Sequence, residues 1–146
     1  MRPAIAIPLC ALLCLGGVLP PHHAQPIDDP KPVDFASLSD FKFVRGMKLP
    51  DHVTKLDKRK VRISGFMGRD GSGAGPVDYF MLINDACGCN GTPFLNEIVF
   101  CDMAQGTTTD IFPGIVTIEG TLYVGEVVED GVVTSLYNLD VDRIVH

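Results

Sequence analysis

The sequence has no Trp, only three Tyr and four His in 146 residues, and twelve Lys and Arg against eighteen Asp and Glu. A formal charge of −6 argues against nucleic acid or an anionic membrane surface as the main partner, because both demand clustered cations. The length allows one small domain. Two of the four His, His22 and His23, lie in the leading segment, which leaves His52 and the terminal His146. A Ser-His-Asp or Cys-His relay is therefore poorly supplied. With no recognisable acid pair either, the reading is of a protein that is not an enzyme.

The mean hydropathy of +0.22 is high for a soluble domain, and its source is local. Arg2 precedes an apolar run from Ala4 to Leu19, interrupted by Pro8 and Gly16-Gly17 and followed by Pro20, Pro21, His22, His23 and Ala24. A positive start, a short apolar stretch and a polar exit describe a secretory signal. The run falls short of the ~20 apolar residues of a stable membrane span. Cys10 and Cys14 lack the small residue expected just before a lipid-modified Cys, which argues against a lipid anchor. We expect residues 1–24 to be a signal peptide and the product to be exported, periplasmic or secreted. Cleavage after Ala24 leaves eleven cations against eighteen anions, a formal −7, and three Cys: Cys87, Cys89 and Cys101.

Residues 25–33 hold Pro26, Pro30 and Pro32 among Asp and Lys and read as a flexible leader that builds neither ladder nor core. A single domain is expected over 34–146. Phe35, Leu38 and Phe41 fit a helical face, whereas Phe41 to Val44 alternates like a strand, and the type of this stretch stays open. Lys48 to Val53 reads as a turn that opens a short helical turn through Leu56.

From Lys60 the pattern is β. Val61 to Met67 alternates, with Gly65 marking a bulge or bend. Val77 to Ile83 is a second strand, Glu97 to Cys101 a third, and Ile115 to Val128 a long fourth with a bend at Gly120 or Gly125. Asp130-Gly131 supplies a tight turn, and Val132 to Leu139 returns as the fifth strand. Gly71, Gly73, Gly75 and Pro76 lead into a strand rather than a helix, so they connect a hairpin and do not cradle phosphate. The expected fold is all-β, a small five-stranded partly open barrel of OB-like type, with a β-sandwich as the alternative.

Chemistry concentrates between Cys87 and Cys101. As a disulfide, Cys101 would bridge to Cys87 or Cys89 across a loop worth about 3 kcal/mol. As a soft-metal site, Cys87 and Cys89 with Cys101 would hold trigonal Cu(I), while Zn would need a fourth ligand such as His52, Asp85 or Asp102. Thiol exchange is the third possibility. Elsewhere, Asn138, Asp140 and Asp142 alternate on one face but lack the turn and Glu of a calcium loop, so they read as a solvated strand end. Lys55, Lys58, Arg59, Lys60 and Arg62 form the only basic cluster and suit an acidic partner protein better than an oligonucleotide. Tyr79, Phe80 and Phe66 read as core.

Val61 to Met67, Tyr79 to Ile83, the Ala86-Cys87-Gly88-Cys89 segment running to Pro93, Asn96 to Phe100, Gly120-Thr121-Leu122 and Ser135 to Asp140 together resemble an exported bacterial family. It is the domain-of-unknown-function family number thirty-two ninety-nine, and the resemblance spans about residues 34–145. It implies an OB-like exported or lipid-anchored protein, sometimes near transporter and zinc-uptake genes, with no established activity. Family members carry Cys-x-His where this chain has Cys87-x-Cys89. Exchange of His for Cys keeps a metal ligand, which favours a site for Zn or Cu(I). Cys101 is no part of the family pattern, which keeps a disulfide between Cys89 and Cys101 open. Two functions follow as expectations: an exported non-enzymatic β domain handling a soft metal, or a disulfide-stapled interaction module that is accessory to an exported or transport complex and binds a protein partner of unknown identity.

Overall fold

The computed structural model describes residues 29–69, 71, 73–85 and 91–146. The expected signal peptide, Cys87 and Cys89 lie outside the described residues. Five strands form where strands were expected: β2 (Arg59–Gly68), β3 (Tyr79–Ile83), β4 (Ile98–Asp102), β5 (Ile115–Glu129) and β6 (Val132–Val145). In β2, Val61, Ile63, Gly65 and Met67 face inward while Arg62 and Ser64 face out. A sixth, β1 (Lys31–Val33), lies parallel to β2 opposite Val61 to Ile63. This corrects the reading of the leader as ladder-free: Pro32 removes one N–H, but a strand pairing along a single edge tolerates that loss.

The neighbour order β1-β2-β3-β4-β6-β5, with β5 pairing back onto β2, makes β2-β3-β4-β6-β5 a five-stranded ring with β1 appended. The seams differ in length. β2 and β5 pair from Arg59↔Leu122 to Phe66↔Ile115, whereas β4 and β6 run parallel and share only the stretch from Phe100↔Asn138 to Asp102↔Asp140. The ring therefore closes partly, as a small OB-like barrel does.

Close strand approach explains two of the glycines. A Cβ on Gly65 would lie 2.7 Å from the Ile83 carbonyl oxygen, and one on Gly120 would collide with the Asp140 carbonyl and lie 2.7 Å from Leu139 Cδ2. The β5–β6 turn is the expected Asp130-Gly131 pair, with φ of 48° and 79°, the left-handed values a two-residue hairpin requires. β6 continues to Val145 instead of stopping at Leu139, so Asp140 and Asp142, both solvated as expected, sit within a ladder rather than at a strand end. Asp142 pairs with Lys60 on the outer face. Val77 forms only an isolated bridge to Thr109, and Leu95–Glu97 is a single 3₁₀ turn ahead of β4.

The ring interior is filled by Val61, Ile63, Phe80, Leu82, Val99, Ile118, Leu122, Leu136, Tyr137 and Leu139, all fully buried. Phe80 is core as expected, while Phe66 and Tyr79 are half-buried. Two short helices cover the core: α1 (Phe35–Ser39) contributes Phe35 and Leu38, and α2 (Asp51–Thr54) contributes Val53. Asp34 caps α1, its Oδ1 accepting from Ser37 N at 2.7 Å. Phe41 to Val44 forms no strand. No helix among the described residues is long and apolar enough to cross a membrane.

On the outer face, Glu119 on β5 stands between Arg62 on β2 and Arg143 on β6, its direct cross-strand partners. Its Oε1 accepts from Arg62 Nε at 2.7 Å, and its Oε2 accepts from Arg143 Nη2 at 2.6 Å and Nε at 3.0 Å. The bond from Arg62, then that from Arg143, holds the carboxyl below the usual carboxylate range. A lowered folded-state value means that this contribution to stability is complete above the ordinary Glu pKa of about 4.3 and is lost as pH falls through the lowered value. Urea unfolding from pH 7 downward should therefore show a steeper acid loss for the native protein than for Glu119→Gln, which should also be less stable at pH 7. Identical pH slopes would remove Glu119 as the coupled group.

Candidate functional site

Of the three candidate thiols, the described residues include Cys101. The alternation of β4 turns Val99 and Cys101 into the ring, and Cys101 is 0% exposed between Phe80 on β3 and Leu139 on β6. It is a free thiol, where one expectation has it bridged to Cys89. Among the described residues its Sγ reaches only the Val99 carbonyl, at 3.7 Å. Burial, and then the neighbouring Asp102 carboxylate, push the thiol well above its ordinary pKa. A thiol held neutral in apolar surroundings is a poor ligand and a poor nucleophile.

The expected auxiliary ligands are dispersed as well. His52 Nε2 lies 3.1 Å from both the Ser37 carbonyl and Asp40 Oδ1, which fastens α2 to the end of α1. Asp102 stands at the end of β4, its carboxyl raised by burial and by Asp140 and Asp78. Asp85 makes an interaction of its own. Among the described residues, no group of three His, Cys, Asp or Glu side chains is placed to hold a metal ion. The basic cluster is partly neutralised, since Lys60 pairs with Asp142 and Arg62 with Glu119.

A concave feature lies elsewhere. The chain leaving α1 and the 3₁₀ turn before β4 enclose a cleft of about 590 Å³, lined by Ser39, Asp40, Phe41, Lys42, Phe43, Phe94, Leu95, Asn96 and Glu97. Both walls are anchored by buried or local hydrogen bonds. The Tyr137 hydroxyl, inside the ring, donates to the Leu38 carbonyl at 2.8 Å, and Asn96 Nδ2 donates to the Phe41 carbonyl at 2.7 Å. Glu97 closes the 3₁₀ turn on itself: its Oε2 accepts from Phe94 N, and its own N–H donates to the Phe94 carbonyl, both at 2.8 Å. Phe41, Phe43 and Phe94 give the cleft an aromatic surface, beside Asp40, Lys42 and Glu97. Phe94 on its rim is 73% exposed.

Sequence reasoning missed this cleft. Phe41 and Phe43 read as strand or helix positions, and Phe94 carried no periodicity. The available signal was an aromatic side chain just beyond Thr92-Pro93, outside any strand, where burial has no reason to place it.

The sequence model described as a protein of unknown function, DUF3299, matches residues 30–146. No curated protein matches the chain. The crystal structure of a DUF3299 family protein from Pseudomonas aeruginosa is similar, at 20% identity and a TM-score of 0.54, over 80% of this chain and 95% of that one; at this identity the likeness is one of fold. The telomere capping protein Ten1 from Schizosaccharomyces pombe is more distant, at 16% identity and a TM-score of 0.39, over 79% of this chain and 78% of that one. The Stn1–Ten1 complex of the same organism gives 16% identity and a TM-score of 0.39 over 81% and 76%. At such scores the two telomere structures carry no functional argument.

The placement of Cys101 is directly measurable. Without reductant, iodoacetamide at pH 8 should leave Cys101 unmodified in the folded protein and alkylate it after unfolding in guanidinium. Mass spectrometry that finds Cys101 unmodified after unfolding, with a peptide mass showing it joined to Cys89, would contradict the free thiol.

Proposed function

Because this chain belongs to the DUF3299 family, which is described as of unknown function, we propose from the geometry of the cleft that it is an exported, non-enzymatic binding module. The observation that carries this reading is the aromatic cleft itself. Phe41, Phe43, Phe94 and Leu95 line a volume within the range of about 300–1,000 Å³ typical of ligand pockets, and Asn96 Nδ2 and Glu97 Oε2 are used to hold the turn that forms one wall. Such a lining recognises by apolar contact. Both described His side chains support a role without catalysis: His52 ties two helices together, and His146 stacks on Phe112 with ring centroids 4.8 Å apart.

The neutral fluorophore N-phenyl-1-naphthylamine tests the cleft. We expect saturable binding by the native protein and about tenfold weaker binding by Phe94→Ser, the scale set by losing a buried aromatic contact. Because Phe94 is largely exposed without ligand, the unfolding free energy of Phe94→Ser measured in urea should stay within about 0.5 kcal/mol of the native value. Unchanged affinity in both Phe94→Ser and Phe43→Ser would remove the cleft as the binding site.

A second reading retains soft-metal handling and rests on Cys87 and Cys89. It is favoured by one observation: Cys101 is committed to the core, so a site on Cys87 and Cys89 would form without it. Thiolates of this kind select Cu(I) or Zn. Elemental analysis after reductive purification should find about one Zn or Cu per chain, lost in Cys87→Ser/Cys89→Ser and kept in Cys101→Ser. Metal-free protein under these conditions would end this reading.

A further inference from the structure

The chain that forms one wall of the cleft is fastened at two points. At the near one, Asn96 Nδ2 donates to the Phe41 carbonyl at 2.7 Å. At the far one, the Gly46 N–H donates to Glu126 Oε1 and Arg45 Nη1 donates to the Gly131 carbonyl, both at 2.6 Å. Phe43, which lines the cleft, lies between these anchors. The turn from Val44 to Met47, closed by the Met47 N–H on the Val44 carbonyl at 3.1 Å, brings Arg45 and Gly46 to the β5–β6 hairpin.

The far anchor rests on a part of the hairpin that the ring does not hold. Among the described residues, β5 pairs with β2 only as far as Leu122, and β6 pairs with β4 only from Asn138. Beyond these pairs the two strands form an arm held by their own ladder, which is interrupted by register shifts on both sides of Val127. A two-stranded arm has little stability of its own, and Val127, Val128 and Val132 on it are exposed. A register shift of this kind re-aims side chains, and Glu126, inside the shift between Val124 and Val127, reaches the Gly46 N–H. Resting on the binding-module reading, we propose that residues 41–47 are a strap that couples the hairpin arm to the cleft. Clasped by Glu126 and Gly131, the strap keeps Phe43 in the cleft wall. Unclasped, Phe43 is tied at the Phe41 end alone, and affinity in the cleft falls in proportion to the clasped fraction. Neither Arg45 nor Glu126 lines the cleft, so both act on it as positioning residues through the strap.

The test uses Glu126→Ala and Arg45→Ala, which open the clasp from the arm and from the strap. Amide exchange at Gly46, followed by NMR, should be faster in Glu126→Ala, where the N–H has lost its acceptor. N-phenyl-1-naphthylamine should bind each variant about threefold more weakly than native protein, the fall that follows when the clasped fraction drops to about one third. Glu129→Ala, exposed on the same arm and without a bond to the strap among the described residues, should bind as native protein does, and urea midpoints should stay at the native value throughout. If Gly46 exchange does not change in Glu126→Ala, the clasp is absent and the proposal fails. If exchange quickens while affinity holds in both clasp variants, the coupling fails and the binding-module reading stands. Equal weakening in Glu129→Ala, or a urea midpoint that falls along with affinity in both clasp variants, assigns the effect to general loosening and overturns the proposal. If native protein binds no fluorophore at all, the binding-module reading fails and takes this proposal with it.

Discussion

The antiparallel seam between β2 and β5 turns a sheet into a ring, and the rest of the molecule depends on it. The two strands pair continuously from Arg59↔Leu122 to Phe66↔Ile115, while the seams on either side of β4 are short. Hydrogen bonds along that seam are backbone bonds of modest individual worth. Their larger effect is geometric, because closing the ring buries Val61, Ile63, Ile118 and Leu122 from both sides at once. Gly120 permits the close β5–β6 approach that follows. The Arg62–Glu119–Arg143 cluster spans the same three strands on the outer face, where the covered Glu119 carboxylate is satisfied by two guanidinium groups that themselves remain partly exposed.

A ring this small has open ends, and the connecting segments close them. Leu38 and Val53 seal one region of the core, and the Tyr137 hydroxyl reaches from inside the ring to the Leu38 carbonyl. That bond has two consequences. It satisfies a phenol that would otherwise be buried without a partner, and it fixes where the chain leaves α1. The direction taken by Phe41, Lys42 and Phe43 is then set, and Asn96 holds it against the turn before β4. The cleft is a by-product of how the barrel is closed, which is why its lining comes from segments outside the ladder.

The cysteines illustrate how packing can override chemistry. Cys87, Cys89 and Cys101 are close in sequence and invite a common site, yet the register of β4 gives Cys101 to the core. A Cys in such a position behaves as a small apolar residue, with its thiol kept protonated by burial. Spacing alone carries no information on which face of a strand a residue occupies until the register is known.

Five strands were legible because their period-two alternation and the Asp130-Gly131 turn are local signals. The pattern placed Val61 and Ile63 on one face of β2, and the structure extends that face to Gly65 and Met67. The all-β class and the OB-like character were accessible on the same basis, and the family through the resemblance of segments such as Val61 to Met67 and Ser135 to Asp140. What depended on long-range pairing was not. β1 exists because three residues with a proline find an edge of β2, and β6 runs past Leu139 because β5 is there to pair with it. The ion pairs of Glu119, the burial of Cys101 and the cleft between residues 39–43 and 94–97 all require segments distant in sequence to meet. Sequence by itself determined the strands and their faces, since these follow from local sterics and hydrophobic alternation; only the tertiary structure decided which polar groups and aromatic side chains share a surface, since closure of the ring sets those distances.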